Sequence, residues 1–188
     1  LMAFFNGLAS AILGFNAQNF GSKRYDRVKK GTLHTLIIML VIYAVCLTAG
    51  LLLGIGGRYQ YIFMSADKVT AESIRFGGTY LVIDMTLYFI LGFLIVTRSA
   101  VQGIFKPSYA LAAGIAELVA RTLICIIMPP HINGGAIDKN ASIAAFAALC
   151  FGDPGAWIAA SLVLLYPLFR YIIKCRYKND VIKTAPAE

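Results

Sequence analysis

Three charged side chains lie inside long apolar stretches of this sequence, where a charge is energetically costly. Asp84 lies near the start of one stretch, and Glu117 and Arg121 lie deep in the next one. A charged group at the centre of a membrane helix costs about 2.5–3.5 kcal/mol on insertion scales, so such groups commonly have a functional role. A carboxyl group in surroundings of low dielectric constant can exchange a proton near neutral pH. The three residues are therefore candidates for binding a proton or an ion.

The spacing of these residues also supports a structural interpretation. Arg121 lies one helical turn beyond Glu117, and a permanently charged arginine holds a neighbouring carboxylate in its ionised form. This favours a structural ion pair between the two, whereas both interpretations stay open for Asp84. By depth along two antiparallel helices, Asp84 and Arg121 should lie at a similar level. We predict that they pair, or that Arg121 is shared between Asp84 and Glu117.

The composition indicates that a membrane surrounds these residues. Of the 188 residues, 59% are hydrophobic and only 14% are charged, whereas soluble domains are about a quarter charged. Of the 17 Lys and Arg residues, Arg121 lies inside an apolar run, and the others cluster mostly just outside the runs, as the positive-inside rule describes. The net charge of +8 therefore does not indicate a nucleic-acid-binding surface. The four cysteines are isolated and lie apart from any paired Cys or His motif, which gives no support for a metal site or a disulfide framework.

The apolar runs predict an all-α fold, a polytopic membrane helix bundle of about five transmembrane helices. The predicted spans are residues 2–20, 32–54, 79–102, 107–128 and 157–173. The third and fourth spans should form a hairpin with a very short turn, with Pro107 opening the fourth span. Residues 141–151 are too few to cross a membrane, so they are expected to form a short interfacial helix or an outer extension of the neighbouring spans.

Turn-forming residues set the expected ends of these spans. Pro129 and Pro130 should stop the fourth span, and residues 152–155 (Gly-Asp-Pro-Gly) should form a turn. Pro167 should kink the last span, and Trp157 should lie at the membrane interface.

The basic residues predict the orientation of the bundle. Residues 21–31 form a basic loop, and the segment after residue 173 is basic as well. Because basic loops stay on the inner side of a membrane, both segments are expected in the cytoplasm. The C-terminus follows the second segment and is expected there as well. Arg98 lies close enough to the inner end of its span for its side chain to extend to that interface.

Further polar residues are candidates for lining a cavity or a gate. They are Gln18, Asn19, Tyr88, Arg98 and Gln102. The last three share a helical stripe with Asp84, which indicates a face toward protein or a cavity. Gln18 and Asn19 could gate a cytoplasmic opening, although capping of a helix end is the favoured interpretation.

Several segments resemble the multidrug and toxic compound extrusion (MATE) family of transporters. One is residues 17–21 (Ala-Gln-Asn-Phe-Gly), followed by the basic loop. Residues 152–157 resemble the start of the last helix of a MATE half. In the hairpin the resemblance is carried by Tyr80, Leu81, Tyr88, Phe89, Leu91, Gly92, Arg98, residues 101–103, Pro107, Ala113, Gly114, Glu117 and Arg121. The resemblance extends from about Met2 to Tyr177.

The resemblance implies a fold, an activity and partners. MATE proteins have two six-helix lobes around a central cavity and exchange protons or sodium ions for organic cations by alternating access. Residues 1–177 would form part of the C-terminal lobe of a longer protein, with residues 178–188 as a cytoplasmic tail. The coupling ion would be H⁺ or Na⁺, with no other cofactor. The implied partners are the lipid bilayer, a small organic cation and the missing N-terminal lobe, in a bacterial plasma membrane.

Two other functions remain open from the sequence. One is a flippase for lipid-linked sugars from the same wider superfamily. The other is a membrane scaffold without transport activity, which would tolerate apolar replacements of Asp84, Glu117 and Arg121. An enzyme is not favoured, because the sequence has no H-E-x-x-H, no G-x-S-x-G and no paired metal-ligand run. Neither catalytic residues nor a metal site are predicted.

Overall fold

The computed structural model describes residues 1–54, 58–63, 65–137 and 141–175, and within these ranges it is helical, with no strand. Its helices are α1 (Met2–Gly21), α2 (Tyr25–Gly54), α3 (Gln60–Phe63), α4 (Ala71–Gly103), α5 (Pro107–Asn133), α6 (Ile143–Cys150) and α7 (Gly152–Pro167). The predicted all-α bundle is confirmed. The predicted tail, residues 178–188, lies outside the described residues.

Among the described residues, four helical stretches are long and apolar enough to cross a membrane, so the chain is a multi-pass membrane protein. They are α2, α4, α5 and the combined stretch Ile143–Ile173. The predicted number was about five. The difference is α1, which has 20 residues but carries Asn6, Asn16, Gln18 and Asn19 among its apolar side chains.

The connection between α1 and α2 is much shorter than the predicted basic loop at residues 21–31. Only Ser22, Lys23 and Arg24 separate the two helices, and α2 begins at Tyr25. Asp26 lies in the first turn of α2, where a negative charge complements the helix dipole. The lysines and arginines that follow are good helix formers, so the basic residues belong to the start of the helix.

The two prolines near the end of α5 do not stop it, contrary to the prediction. The helix continues through Pro129 and Pro130 to Asn133 and ends at Gly134, whose φ of 75° gives a left-handed cap. Each proline removes only its own N–H donor, and a membrane helix tolerates that loss where neighbouring groups take up the freed carbonyls. The real stop is therefore the glycine that can adopt a positive φ.

Residues 152–155 are the first turn of α7 and not the predicted turn between segments. Phe151 is the only residue between α6 and α7, and its carbonyl accepts a hydrogen bond from the Gly155 N–H at 2.9 Å. Aspartate and proline are both favoured in a first helical turn. Residues 143–150 therefore extend the last span at its N-terminal end, which fits the predicted alternative of an extension of a neighbouring span.

The helix changes its geometry after Pro167, where the sequence predicted a kink. Residues Leu168–Ile173 form a π-helical segment, and the Lys174 N–H bonds to the Phe169 carbonyl at 3.0 Å. Proline cannot donate the usual helical hydrogen bond, and a widened turn is one way in which a helix accommodates that loss.

Helix α4 lies at the centre of the bundle, where it packs against α1, α2 and α7. Its turn to α5 is short, as predicted, with Pro107 in the first turn of α5. Helix α5, however, packs mainly against α7 rather than against its hairpin partner. Trp157 lies in the core between these helices, 5% exposed, with its ring edge-on to Tyr88 at 5.6 Å. The predicted role of Trp157 as an interfacial anchor was therefore wrong, because its ring packs against protein.

Candidate functional site

The close approach of α7 to α5 brings two charged residues together. Side chains added at Gly152 and Gly155 would collide with Cys125 and Ile124 of α5. The two glycines therefore let α7 lie directly against α5. This packing places Asp153, at the start of α7, beside Arg121 of α5.

Two ion pairs connect α5 to α4 and to α7, and a third lies within α5. Arg98 Nη2 lies 2.7 Å from Glu117 Oε2, and Arg121 Nη2 lies 3.2 Å from Glu117 Oε1. Arg121 Nε lies 3.0 Å from Asp153 Oδ1. Glu117 is thus shared by two arginines, and Arg121 is shared by two carboxylates. We call these four residues, Arg98, Glu117, Arg121 and Asp153, the ionic network.

The Arg98 side chain was predicted to extend to the inner interface, but it bonds to Glu117 instead. The Cα–Cβ bond of a helical residue tilts toward the N-terminus of its helix. On α4 this direction leads away from the α4–α5 turn, and on the antiparallel α5 it leads toward that turn. The two side chains therefore lean toward each other. The Arg98 Nε is buried and has no hydrogen-bond partner among the described residues.

Asp84 is buried at 7% exposure, yet it belongs to none of the ion pairs among the described residues. The predicted pair of Asp84 with Arg121 was wrong. The two residues face different neighbours, because α5 packs on α7 and its arginine meets Asp153 instead. The pair of Glu117 with Arg121 was predicted and is confirmed.

The ionic network is open on one side. The side chains of Arg98 and Glu117 are 29% and 20% exposed, and those of Arg121 and Asp153 are 45% and 44% exposed. Lipid hydrocarbon cannot solvate a charge, so a half-exposed ion pair between membrane helices requires water or another polar surface. Because Arg121 has two carboxylate partners, it can release Asp153 and stay paired with Glu117.

The remaining predicted polar residues lie outside the ionic network. Gln18 and Gln102 are exposed. The Asn19 side chain donates to the Phe15 carbonyl of its own helix at 2.8 Å, whereas the C-cap of α1 is Ser22. Tyr88 packs against Phe5, with a ring distance of 5.9 Å, as well as against Trp157.

Asn16 makes a polar contact that was not predicted from the sequence. Its side-chain amide is fully buried and donates to Thr32 Oγ1 at 3.0 Å and to the Ala100 carbonyl at 3.2 Å. It therefore joins α1, α2 and α4. Gly103 permits this contact, because an added Cβ would lie 2.7 Å from the Leu13 carbonyl oxygen. An amide inside an apolar helix could have indicated a buried polar contact at Asn16. Several other polar residues in the same helix made Asn16 difficult to distinguish.

Asp153 was also missed, for a different reason. It lies in the four-residue segment that was interpreted as a turn, and turns commonly carry exposed aspartates without a further role. Its position in the first turn of a membrane helix became clear only when α6 and α7 proved to be nearly continuous.

Helix α1 carries a second polar surface. Asn6 and Ser10 are exposed one helical turn apart, and the exposed Gln18 lies about 80° further around the helix axis. These groups would lack hydrogen-bond partners in hydrocarbon. This surface of α1 is therefore suited to water or to another polar helix.

Within the described ranges, no three His, Cys, Asp or Glu side chains are grouped so that they could hold a metal ion. All four cysteines are free. No protein family, no curated protein and no solved structure matches this chain.

Proposed function

We propose that this chain forms part of a secondary active transporter, which exchanges H⁺ or Na⁺ for a small organic cation across a bacterial plasma membrane. The observation that carries the proposal is the half-exposed pair of Arg121 and Asp153 between membrane-spanning helices. Charged residues at such positions mark ion and substrate pathways, because they are retained only where they face water, a ligand or another charge.

The partners of each charge suggest how the site would work. Asp84 is buried and stands outside the ion pairs of the described residues, which makes it the candidate for taking up the coupling proton or sodium ion. Asp153 faces the open side of the ionic network, so an organic cation could replace Arg121 as its partner. Arg121 would then remain paired with Glu117, which it would share with Arg98.

The exposed polar face of α1 supports a water-filled cavity next to this bundle. Alternating access requires two groups of helices that move relative to each other. The surface carrying Asn6, Ser10 and Gln18 would border the cavity between this bundle and a second group. The proposed orientation, with the C-terminus in the cytoplasm, follows from the basic residues at the start of α2 and after α7.

A scaffold without transport activity is the second candidate, and one observation favours it. The ionic network contains two arginines and two acids, so its charges balance. Fixing the three helices in place would be a sufficient role for a network whose charges balance. Transport measurements separate the two functions.

The test uses the full-length protein in proteoliposomes loaded with a fluorescent organic cation such as ethidium. An imposed pH or Na⁺ gradient should drive movement of the dye, and Asp84→Asn should abolish its dependence on the gradient. Asp153→Asn should slow transport about tenfold, equivalent to about 1.4 kcal/mol. The control is Glu72→Gln, which alters an exposed acid in the first turn of α4 and should transport normally. Gradient-independent dye movement in the unmodified protein, or normal transport by both aspartate variants, would contradict the proposal.

A further inference from the structure

A pocket at the inner end of α7 lies apart from the ionic network. It has a volume of about 430 Å³ and is lined by Leu165, Tyr166, Phe169, Arg170 and Lys174. Arg170 and Lys174 lie on or just after the π-helical segment Leu168–Ile173, and such widened turns occur frequently at functional sites. The lining thus combines an apolar wall with two positive charges.

Two aromatic rings hold the Arg170 guanidinium in place. Its Nη1 donates to the Tyr166 hydroxyl oxygen at 2.8 Å, and its Cζ lies 5.7 Å and 5.5 Å from the ring centroids of Tyr166 and Tyr171. Stacking and hydrogen bonding of this kind fix the orientation of the planar guanidinium group. The arginine is therefore positioned in advance for an anionic ligand.

A third positive charge approaches from a different segment. The Lys106 Nζ, in the turn between α4 and α5, lies 5.2 Å from the Tyr171 ring centroid. Tyr171 thus lies between Lys106 and Arg170. The turn and the end of α7 therefore present their positive charges at the same end of the bundle.

The apolar part of the pocket faces away from the protein. Tyr166 is 51% exposed and Phe169 is 52% exposed, and both belong to the stretch Ile143–Ile173 that can cross a membrane. At this end of a span, exposed aromatic side chains meet the acyl chains and the headgroup region of lipids.

We propose that this pocket binds one anionic phospholipid from the leaflet at this end of the bundle. Its phosphate would bond to the Arg170 guanidinium, with Lys174 as a second positive contact, and its acyl chains would lie along Tyr166 and Phe169. Arginine binds phosphate oxygens in a bidentate manner, and basic pockets between membrane helices bind acidic headgroups. The site does not depend on transport activity, so either proposal can fail without the other.

The test measures lipid binding to the purified full-length protein by native mass spectrometry and by the shift in thermal unfolding. Phosphatidylglycerol should bind and raise the midpoint of unfolding, whereas phosphatidylcholine and inorganic phosphate should not. Arg170→Gln should weaken phosphatidylglycerol binding about tenfold or more, as expected for loss of a charge-assisted hydrogen bond. Arg170→Lys should restore only part of it, because lysine lacks the planar fork.

The matched control is Arg27→Gln, which removes the same charge from an exposed position in the first turn of α2. Binding by this variant should remain close to normal. Equal losses in Arg27→Gln and Arg170→Gln would overturn the proposal, because they would indicate general attraction to a basic surface. An equal shift with inorganic phosphate would overturn it as well. If Arg170→Gln does not fold, Lys174→Gln provides the test, since Lys174 is exposed; normal phosphatidylglycerol binding by this variant would contradict the proposal.

Discussion

Helix α4 takes part in two polar contacts that differ in nature. One is the neutral junction, formed by Asn16, Thr32 and the Ala100 carbonyl, which joins α4 to α1 and α2. The other is the ionic network, which joins α4 to α5 and α7. Asn16 and Thr32 are completely buried, whereas every side chain of the ionic network is partly exposed.

The difference follows from the cost of removing each group from water. A neutral amide can be buried when most of its hydrogen bonds are made within the protein, whereas a charge loses far more solvation. The neutral junction therefore suits a fixed contact between close-packed helices. The ionic network lies where water or a ligand can reach it, and its shared partners permit exchange. One side of α4 is thus built for rigidity, and the other is suited to change.

The largest effect is expected from breaking the neutral junction at its closest point. In Gly103→Ala the new methyl group would meet the Leu13 carbonyl oxygen and the Asn16 side chain. A backbone atom cannot move aside cheaply, so we expect a loss of about 3 kcal/mol in the free energy of unfolding. Unfolding in mixed detergent micelles measures this loss. The control is Gly114→Ala, which meets no atom within 4 Å, and equal destabilisation of the two variants would refute the close-packed junction.

A smaller effect should distinguish the two contacts by their response to salt. Glu117→Gln removes the acid shared by Arg98 and Arg121, and we expect a loss of about 2 kcal/mol because the pairs are only partly buried. Asn16→Ala should cost about 1 kcal/mol. Salt screens exposed charges, so the first loss should shrink between 0.1 M and 1 M NaCl and the second should not. The same unfolding assay measures both losses, and salt dependence in Asn16→Ala alone would reverse our assignment.

The smallest effect tests which acid Arg121 meets. A double-mutant cycle with Arg121→Gln and Asp153→Asn should give a coupling energy of about 0.5–1 kcal/mol, as for other exposed ion pairs. The same cycle with Asp84→Asn in place of Asp153→Asn should give a much smaller value. A larger coupling to Asp84 would restore the pairing that the sequence predicted and contradict the geometry of the ionic network.

Several features of the candidate site were determined by the sequence alone, because they are local. The apolar composition required a membrane, and the four-residue spacing of Glu117 and Arg121 gave their ion pair. Pro107 fixed the start of α5, since proline is suited to a first helical turn. Helix boundaries were less predictable. Residues that usually break helices, such as Pro129 and Pro130, lie within α5 because the fold compensates for their missing donors.

Only the tertiary structure decided which helix each charge faces. Depth along the chain predicted similar levels for Asp84 and Arg121, but it contains no information about the rotation of a helix around its axis. Gly152 and Gly155 allow α7 to pack on α5. In this arrangement Arg121 pairs with Asp153, and Asp84 lies outside the ionic network. The same packing buries Trp157. Contacts between residues far apart in sequence depend on how whole helix surfaces fit together, which the spacing of residues within one helix cannot specify.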